Sequence, residues 1–330
     1  MDPLRPGDPR RIGSYRLIAR FDPAEGGLPL PERRFIGRAP GGDRTAVLSV
    51  PLVAEDAGRF AVEAETARRR LSGRWISPVA EVGGGTGLPW YATPYLPALP
   101  LTAALAVHRG PLPERTVRAL GAALAEALAG AHAQGLVHAG VSPASVLLAV
   151  DGPRLSCFGA VRVAAPEGER RSGHPGLVSG GVPPEQLTGG RPRPPGDSYA
   201  LGSVLAYAAT GQSAPERREL PECLGMLIDR CLSRDPARRP QAAELLAELT
   251  GVAAPVSAPR PPDRPSHGTV LDGAAGAAAA LLGPGWLPGR VIAALAQQSA
   301  EVLAAEPAPE DGPTPQGTGA GPATVSGTGG

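Results

Sequence analysis

The stretch LVHAGVSPASVLL, residues 136–148, decides how this chain is read. Upstream of it, residues 113–134 place Val117, Leu120, Leu124 and Leu128 on one stripe of a helix, and Gly135 supplies the stop. Downstream, residues 146–148 and 154–156 are short strand candidates around an Asp-Gly turn. The loop held between helix and strand carries a histidine and two serines. It has no carboxylate, no side-chain amide and no lysine.

Working outward toward the C-terminus, DSYALGSVLAYAATG (197–211) is apolar almost all round, which predicts a buried helix. Residues 221–232 and 240–249 follow as amphipathic closing helices. Toward the N-terminus, SYRLIARF (14–21), RFIGRA and TAVLSV read as strands, the last two joined by the tight turn APGGD. Phe60, Ala64, Ala67 and Leu71 recur at helical spacing, with Asp56 as the start. ISPVAEVGG and LPWYATPYL suggest two more strands. The expected fold class is therefore α+β: a small antiparallel sheet with one helix, then a mainly helical unit.

The chain divides accordingly. An N-terminal arm covers 1–13, the sheet unit 14–96 and the helical unit 97–250. A Pro/Ala/Gly-rich linker covers 251–284, a further helix with Pro288 near its first turn 285–305, and a Pro/Gly/Thr/Ala tail 306–330 is expected to be disordered.

Composition narrows the function classes. The 330 residues include 45 Gly and 40 Pro, and the formal charge is +1. That balance gives no pull toward nucleic acid or an acidic membrane. All 32 basic residues are arginine, and the chain contains neither lysine nor asparagine. Cys157, Cys223 and Cys231 have no metal-like spacing, and His108, His132, His174 and His267 are scattered. No metal site is expected, and the thiols suit a reducing compartment. The first residues, MDPLRPGDPRR, lack the apolar core of a signal peptide, and no run reaches the roughly 20 apolar residues of a membrane span. A cytoplasmic protein is expected.

Eight segments in order carry a family resemblance: RTAVLSV, FAVEAETARRRLSG, LPWYATPYLP, VHAGVSPASVLL, LSCFGAVR, VPPEQL, DSYALGSVLAYAATG and DPARRP. Together they resemble the third-strand, regulatory-helix, hinge, catalytic-loop, DFG, APE, central-helix and last-helix motifs of an actinobacterial-type, eukaryotic-like Ser/Thr protein kinase domain over residues 14 to 250. The resemblance implies a bilobal fold. It also implies which positions carry chemistry. The phosphate-binding lysine corresponds to Leu48, and its regulatory-helix partner to Glu63. The proton-accepting aspartate corresponds to Gly140, the following lysine to Ser142, the metal-holding asparagine to Ser145 and the metal-holding aspartate to Cys157.

Only Glu63 keeps its chemistry, and without a lysine it is expected to be solvated or bonded to an arginine. A neutral thiol is a poor ligand for a hard cation that prefers oxygen, so Mg2+ is not expected. Losing one charge-stabilising donor can cost about 2.7–4 kcal/mol of barrier. The phosphate-covering loop keeps only Gly26 and Gly27, followed by prolines that lack N–H donors.

What remains is framework. The resemblance places Ala46 above and Leu147 below an adenine, with the Pro94 carbonyl and Leu96 N–H as hinge groups, so ATP bound without metal stays open. His138 and Phe158 match a buried interlobe stack, Asp197 a brace under the catalytic loop, and Glu185 with Arg239 an ion pair. Cys157 reads as a small buried hydrophobe, and the arginines of ERR (169–171) and RPR (191–193) as solvated loop charge. The segment after the central helix is shorter than in kinases, which weakens substrate docking. The leading expectation is a pseudokinase that binds protein partners. The alternatives are a divergent Ser/Thr kinase with weak activity and a structural adaptor with a filled cleft.

Overall fold

The computed structural model describes residues 2–22, 28–85, 87–178, 180–213, 215, 217–251 and 276–305. Six strands form the first sheet: β1 (Arg11–Ile12), β2 (Tyr15–Arg20), β3 (Glu32–Arg38), β4 (Thr45–Pro51), β5 (Glu81–Gly83) and β6 (Trp90–Pro94). Every pairing is antiparallel, in the order β1-β2-β3-β4-β6-β5. Helix α1 (Ala57–Arg70) lays Phe60, Ala64 and Ala67 inward, and Phe60 stacks on Tyr91 with ring centroids 5.4 Å apart. Asp56 precedes α1 but does not cap it; its carboxylate pairs with Arg59 at 2.5 Å and His174 at 3.2 Å instead.

The second lobe holds a small sheet of β7 (Ala98–Pro100), β8 (Val146–Ala149) and β9 (Gly152–Leu155). Its helices are α2 (Leu101–His108), α3 (Glu114–Ala133), α4 (Ala160–Ala164), α5 (Pro184–Leu187), α6 (Pro194–Thr210), α7 (Glu222–Cys231) and α8 (Ala242–Thr250). The stripe predicted on α3 is buried: Val117, Leu120, Leu124 and Leu128 are all fully shielded. They meet Leu201, Val204 and Leu205 of α6 and Leu245 and Leu249 of α8 in one core. Gly135 stops α3 at φ +70, a left-handed conformation that glycine adopts without a steric penalty. The lobes and their internal patterning match the expected bilobal α+β fold.

Two end segments add to this fold. The N-terminal arm packs on the sheet. Asp2 bridges to Arg20, β1 pairs with β2, and buried Asp8 accepts from Arg20 Nε at 2.6 Å. Beyond residue 275 the chain packs on the helical lobe and forms a helix within the expected 285–305. Ala278 and Trp286 join the main core, and α9 (Gly289–Ala304) buries Val291, Leu295, Gln298 and Val302. Residues 252–275 of the expected linker and the tail 306–330 lie outside the described residues.

Candidate functional site

The catalytic-loop resemblance places the site where α3, β8, β9 and the sheet lobe meet, and the loop is built from inside. Asp197, at the start of α6, accepts from the backbone N–H of His138 at 2.7 Å and of Ala139 at 2.8 Å. Its Oδ2 also meets His132 Nε2 at 2.9 Å. This is the brace expected of Asp197. His138 is fully buried, edge-on to Phe158 with centroids 5.6 Å apart. Burial pushes its imidazole down to about 4, so it stays neutral. Glu185 and Arg239 form the expected pair at 2.6 and 2.9 Å. Ala139 (φ 51) and Cys157 (φ 61) hold left-handed conformations unusual for residues with a Cβ.

The side chains on this backbone are turned to structural use. Ser142 N–H donates to Ser145 Oγ at 2.8 Å, and Ser145 Oγ donates back to the Ser142 carbonyl at 3.0 Å. Ser156 Oγ donates to the Ser145 carbonyl at 2.7 Å. Gly140 is closed to any side chain, since a Cβ there would lie 1.9 Å from the Cys157 carbonyl oxygen. Cys157 is buried and donates to Glu32 Oε1 at 3.1 Å. Burial, then the Glu32 charge, push its thiol well above the ordinary range.

One expectation shifts by a residue. On β4, Ala46 and Leu48 face the outer core with Tyr15, Leu17, Phe35 and Trp90, whereas Val47 shares a cluster with Leu147. Val47, not Ala46, therefore opposes Leu147, and Ser49, not Leu48, occupies the cleft face at the lysine position. Ser49 Oγ donates to Glu32 Oε1 at 3.2 Å. Motif letters locate the strand, but a slip of one residue moves a side chain to the opposite face. Serine, like leucine, carries no charge to attract a phosphate.

Glu63 is bound rather than solvated: Arg162 donates to its two oxygens, each at 2.7 Å. Arg171 of the ERR run is not solvated loop charge. It is 1% exposed and donates to the carbonyls of Ala165, Pro166, Gln186 and Gly190. Asp151, in the Asp-Gly turn, is exposed and pairs with Arg154 at 2.6 Å. At the hinge, Pro94 and Leu96 are exposed, while Val47 and Leu147 are 7% and 8% exposed.

The residues that sequence reasoning missed are Asp22, Glu32 and Arg34. Arg34 projects from β3 between the two lobes and is 3% exposed. Its Nε donates to Asp22 Oδ1 at 3.0 Å, Nη2 also pairs with Asp22, Nη2 reaches the Ala144 carbonyl at 3.0 Å and Nη1 reaches Ser156 Oγ at 3.2 Å. Ala144 and Ser156 adjoin Ser145 and Cys157, the two positions implied to hold metal. A guanidinium thus bonds to the residues next to those two positions. Burial works against its charge, yet Asp22 holds it firmly protonated. Glu32 is buried beside it, accepts from Tyr91 Oη at 2.8 and 2.9 Å, and has its carboxyl pushed up by burial. The alternation of RRF along β3 is the available signal, but an arginine in a strand is ordinarily read as facing solvent.

This donor set does not suit Mg2+·ATP. The oxygens facing the cleft are engaged with Arg34, Tyr91 and Cys157, the thiol is neutral, and no group of three or more acidic, His or Cys side chains among the described residues is placed to hold a metal. In front of Arg34 lies a cavity of about 390 Å³, lined by Arg5, Arg20, Arg33, Arg34, Asp22 and Glu32 among others. Its lining is cation-rich.

No protein-family model matches the chain. Sequence comparison finds the probable serine/threonine-protein kinase PkwA of Thermomonospora curvata, 39% identical over 272 residues, covering 76% of this chain and 36% of that protein. The serine/threonine-protein kinase AfsK of Streptomyces coelicolor is 34% identical over 278 residues, covering 76% and 33%. The chain thus spans about a third of the length of these relatives. Among solved structures, a mutant form of the PknI kinase domain of Mycobacterium tuberculosis superposes with TM-score 0.56 at 24% identity, covering 72% of this chain and 95% of that one. No helix among the described residues is long and apolar enough to cross a membrane. Fold, ordered motifs and sequence similarity agree: the chain holds a domain of the protein-kinase type, similar over 76% of its length to these serine/threonine-protein kinases.

Proposed function

We propose that this domain is a pseudokinase, a kinase-type fold that signals through binding rather than phosphate transfer. The observation that carries the reading is Arg34, whose guanidinium ties β3 and Asp22 to Ala144 and Ser156. In a kinase, metal-bound nucleotide bridges the lobes at that place. Here a tethered side chain does so, and the lobes are held together without ligand. Gly140 supports the same reading, since it offers no group to accept a proton and leaves no room for one.

A nucleotide or similar anion is a suitable ligand without metal. The hinge backbone at Pro94 and Leu96 does not depend on the altered side chains, and the arginine-lined cavity supplies positive charge. The partners are proteins, and the free thiols suit a cytoplasmic setting.

Two measurements test the proposal. Purified protein is assayed for phosphate transfer beside a Leu147→Arg variant and a heat-killed sample. Transfer by the native protein that disappears in both controls overturns the reading and favours a divergent kinase. A thermal-shift series then compares ATP with Mg2+, ATP with EDTA, and no nucleotide. Stabilisation independent of metal supports a nucleotide-responsive pseudokinase, stabilisation only with metal opposes it, and no stabilisation points to an adaptor with a filled cleft.

A further inference from the structure

Helix α9 ends inside the cleft region rather than on a remote surface. At its start, Trp286 is anchored: its carbonyl accepts from Thr116 Oγ at 2.5 Å and its Nε1 donates to the Val150 carbonyl at 2.8 Å. Arg290 then reaches the His108 carbonyl, at the far end of α2, at 3.5 Å. The helix runs antiparallel to α2 and arrives at the hinge. There Val302, 2% exposed, joins the cluster of Phe21, Ile36, Val47, Ala98 and Leu147. The Val302 carbonyl accepts from Arg38 Nη2 at 2.9 Å. Tyr95 of the hinge is half-buried in the same cluster, and burial with the nearby Glu301 charge pushes its phenol up to about 12.

Val47 and Leu147 are the residues that oppose each other across the slot for a flat heterocycle. Val302 belongs to their cluster. The last turn of α9 is thus part of the slot's wall, contributed by a segment far along the chain. The docking is imperfect. Gln298 lies on the buried stripe of α9 at 5% exposure, and its Oε1 finds no partner among the described residues; neither does the buried Oη of Tyr95. Unpaired buried polar atoms lower the cost of undocking, because water satisfies them once the helix lifts.

We infer that α9 is a detachable strap over the hinge end of the cleft, and that its last turn and a purine-class ligand compete for the slot between Val47 and Leu147. Linkage makes the effect reciprocal: a ligand that loosens α9 is weakened by docked α9 by the same factor. The strap would operate whether or not the domain transfers phosphate. Its test reads binding and helix protection, and its failure is distinct from failure of the pseudokinase reading.

The experiment uses the full chain with adenosine and with ADP in EDTA, and measures affinity by calorimetry and amide exchange over residues 298–304. Val302→Asp is expected to bind adenosine at least ten-fold more tightly than the native protein. Arg38→Ala, which removes the clasp but not the helix, is expected to gain several-fold. Leu303→Asp, at a position 78% exposed, is the control and leaves affinity unchanged. In the native protein, adenosine speeds exchange of the last α9 turn. Equal affinity in native and both test variants, an equal gain in Leu303→Asp, α9 protection indifferent to ligand, or no binding by any form overturns the inference. Should Val302→Asp fail to fold, Arg38→Ala and the exchange measurement decide.

Discussion

The framework beneath the catalytic loop and the cleft above it have followed different rules. Beneath, Asp197 makes the bonds that shape the loop, Glu185 and Arg239 tie α5 to the closing helices, and His138 packs on Phe158. Above, serines bond to one another, Gly140 abuts a carbonyl, and Arg34 bonds across to the Ala144 carbonyl. The loop even keeps left-handed residues at Ala139 and Cys157, each costing about 1–3 kcal/mol and held there by the surroundings. The lesson is that buried braces specify the shape of the loop, while the side chains above it can take a different set of bonds without disturbing those braces. One can be replaced while the other stays.

That contrast can be broken, and the largest effect belongs to the framework. Asp197→Ala leaves two buried N–H donors without an acceptor and is expected to cost about 4 kcal/mol in urea unfolding. A loss below about 1 kcal/mol would mean the loop holds itself.

The next effect is a pH dependence. Burial keeps His138 near 4 in the fold, against 6.5 for the free side chain. Between these values the unfolded chain binds the additional proton, so stability falls as pH drops from 6.5 to 4 and levels off below. The drop should be about 3 kcal/mol and largely absent in His138→Leu. Glu32, whose carboxyl is raised by burial, acts in the opposite sense, adding stability that fades as pH rises. The difference between the two proteins' profiles isolates His138.

Effects above the loop should be smaller. Arg34→Met removes the interlobe tie and leaves the Ala144 carbonyl and Asp22 unpaired, at about 2 kcal/mol. Adding Asp22→Asn should recover part of that, and full additivity of the two losses would show that the pair is not coupled. Gly140→Ala brings a Cβ against the Cys157 carbonyl and should cost about 1–2 kcal/mol. A neutral result would mean the loop relaxes readily and that glycine is there for another reason.

Much of this is legible along the chain. The stripe Val117, Leu120, Leu124, Leu128 and the all-round apolar run of α6 report burial directly, because helical periodicity is local. Asp197, Glu185 and Arg239 are legible too, since their motifs lie at fixed offsets. The face of β4 is not: motif matching places Ala46 and Leu48 in the cleft, where pairing puts Val47 and Ser49. The roles of Asp22, Glu32 and Arg34 are hidden because each is an ordinary charged residue until strands separated in sequence are brought together.

The order of residues alone determined the two-lobed fold, its helices, and which side-chain types are missing, because absence of lysine and asparagine anywhere in the chain needs no coordinates. Only the tertiary structure decided what stands in their place. Arg34 reaches Ala144 across 110 positions, and Val302 accepts from Arg38 across 264. Contacts between residues so far apart leave no periodic trace, since they depend on where separate elements pack rather than on how any one of them repeats.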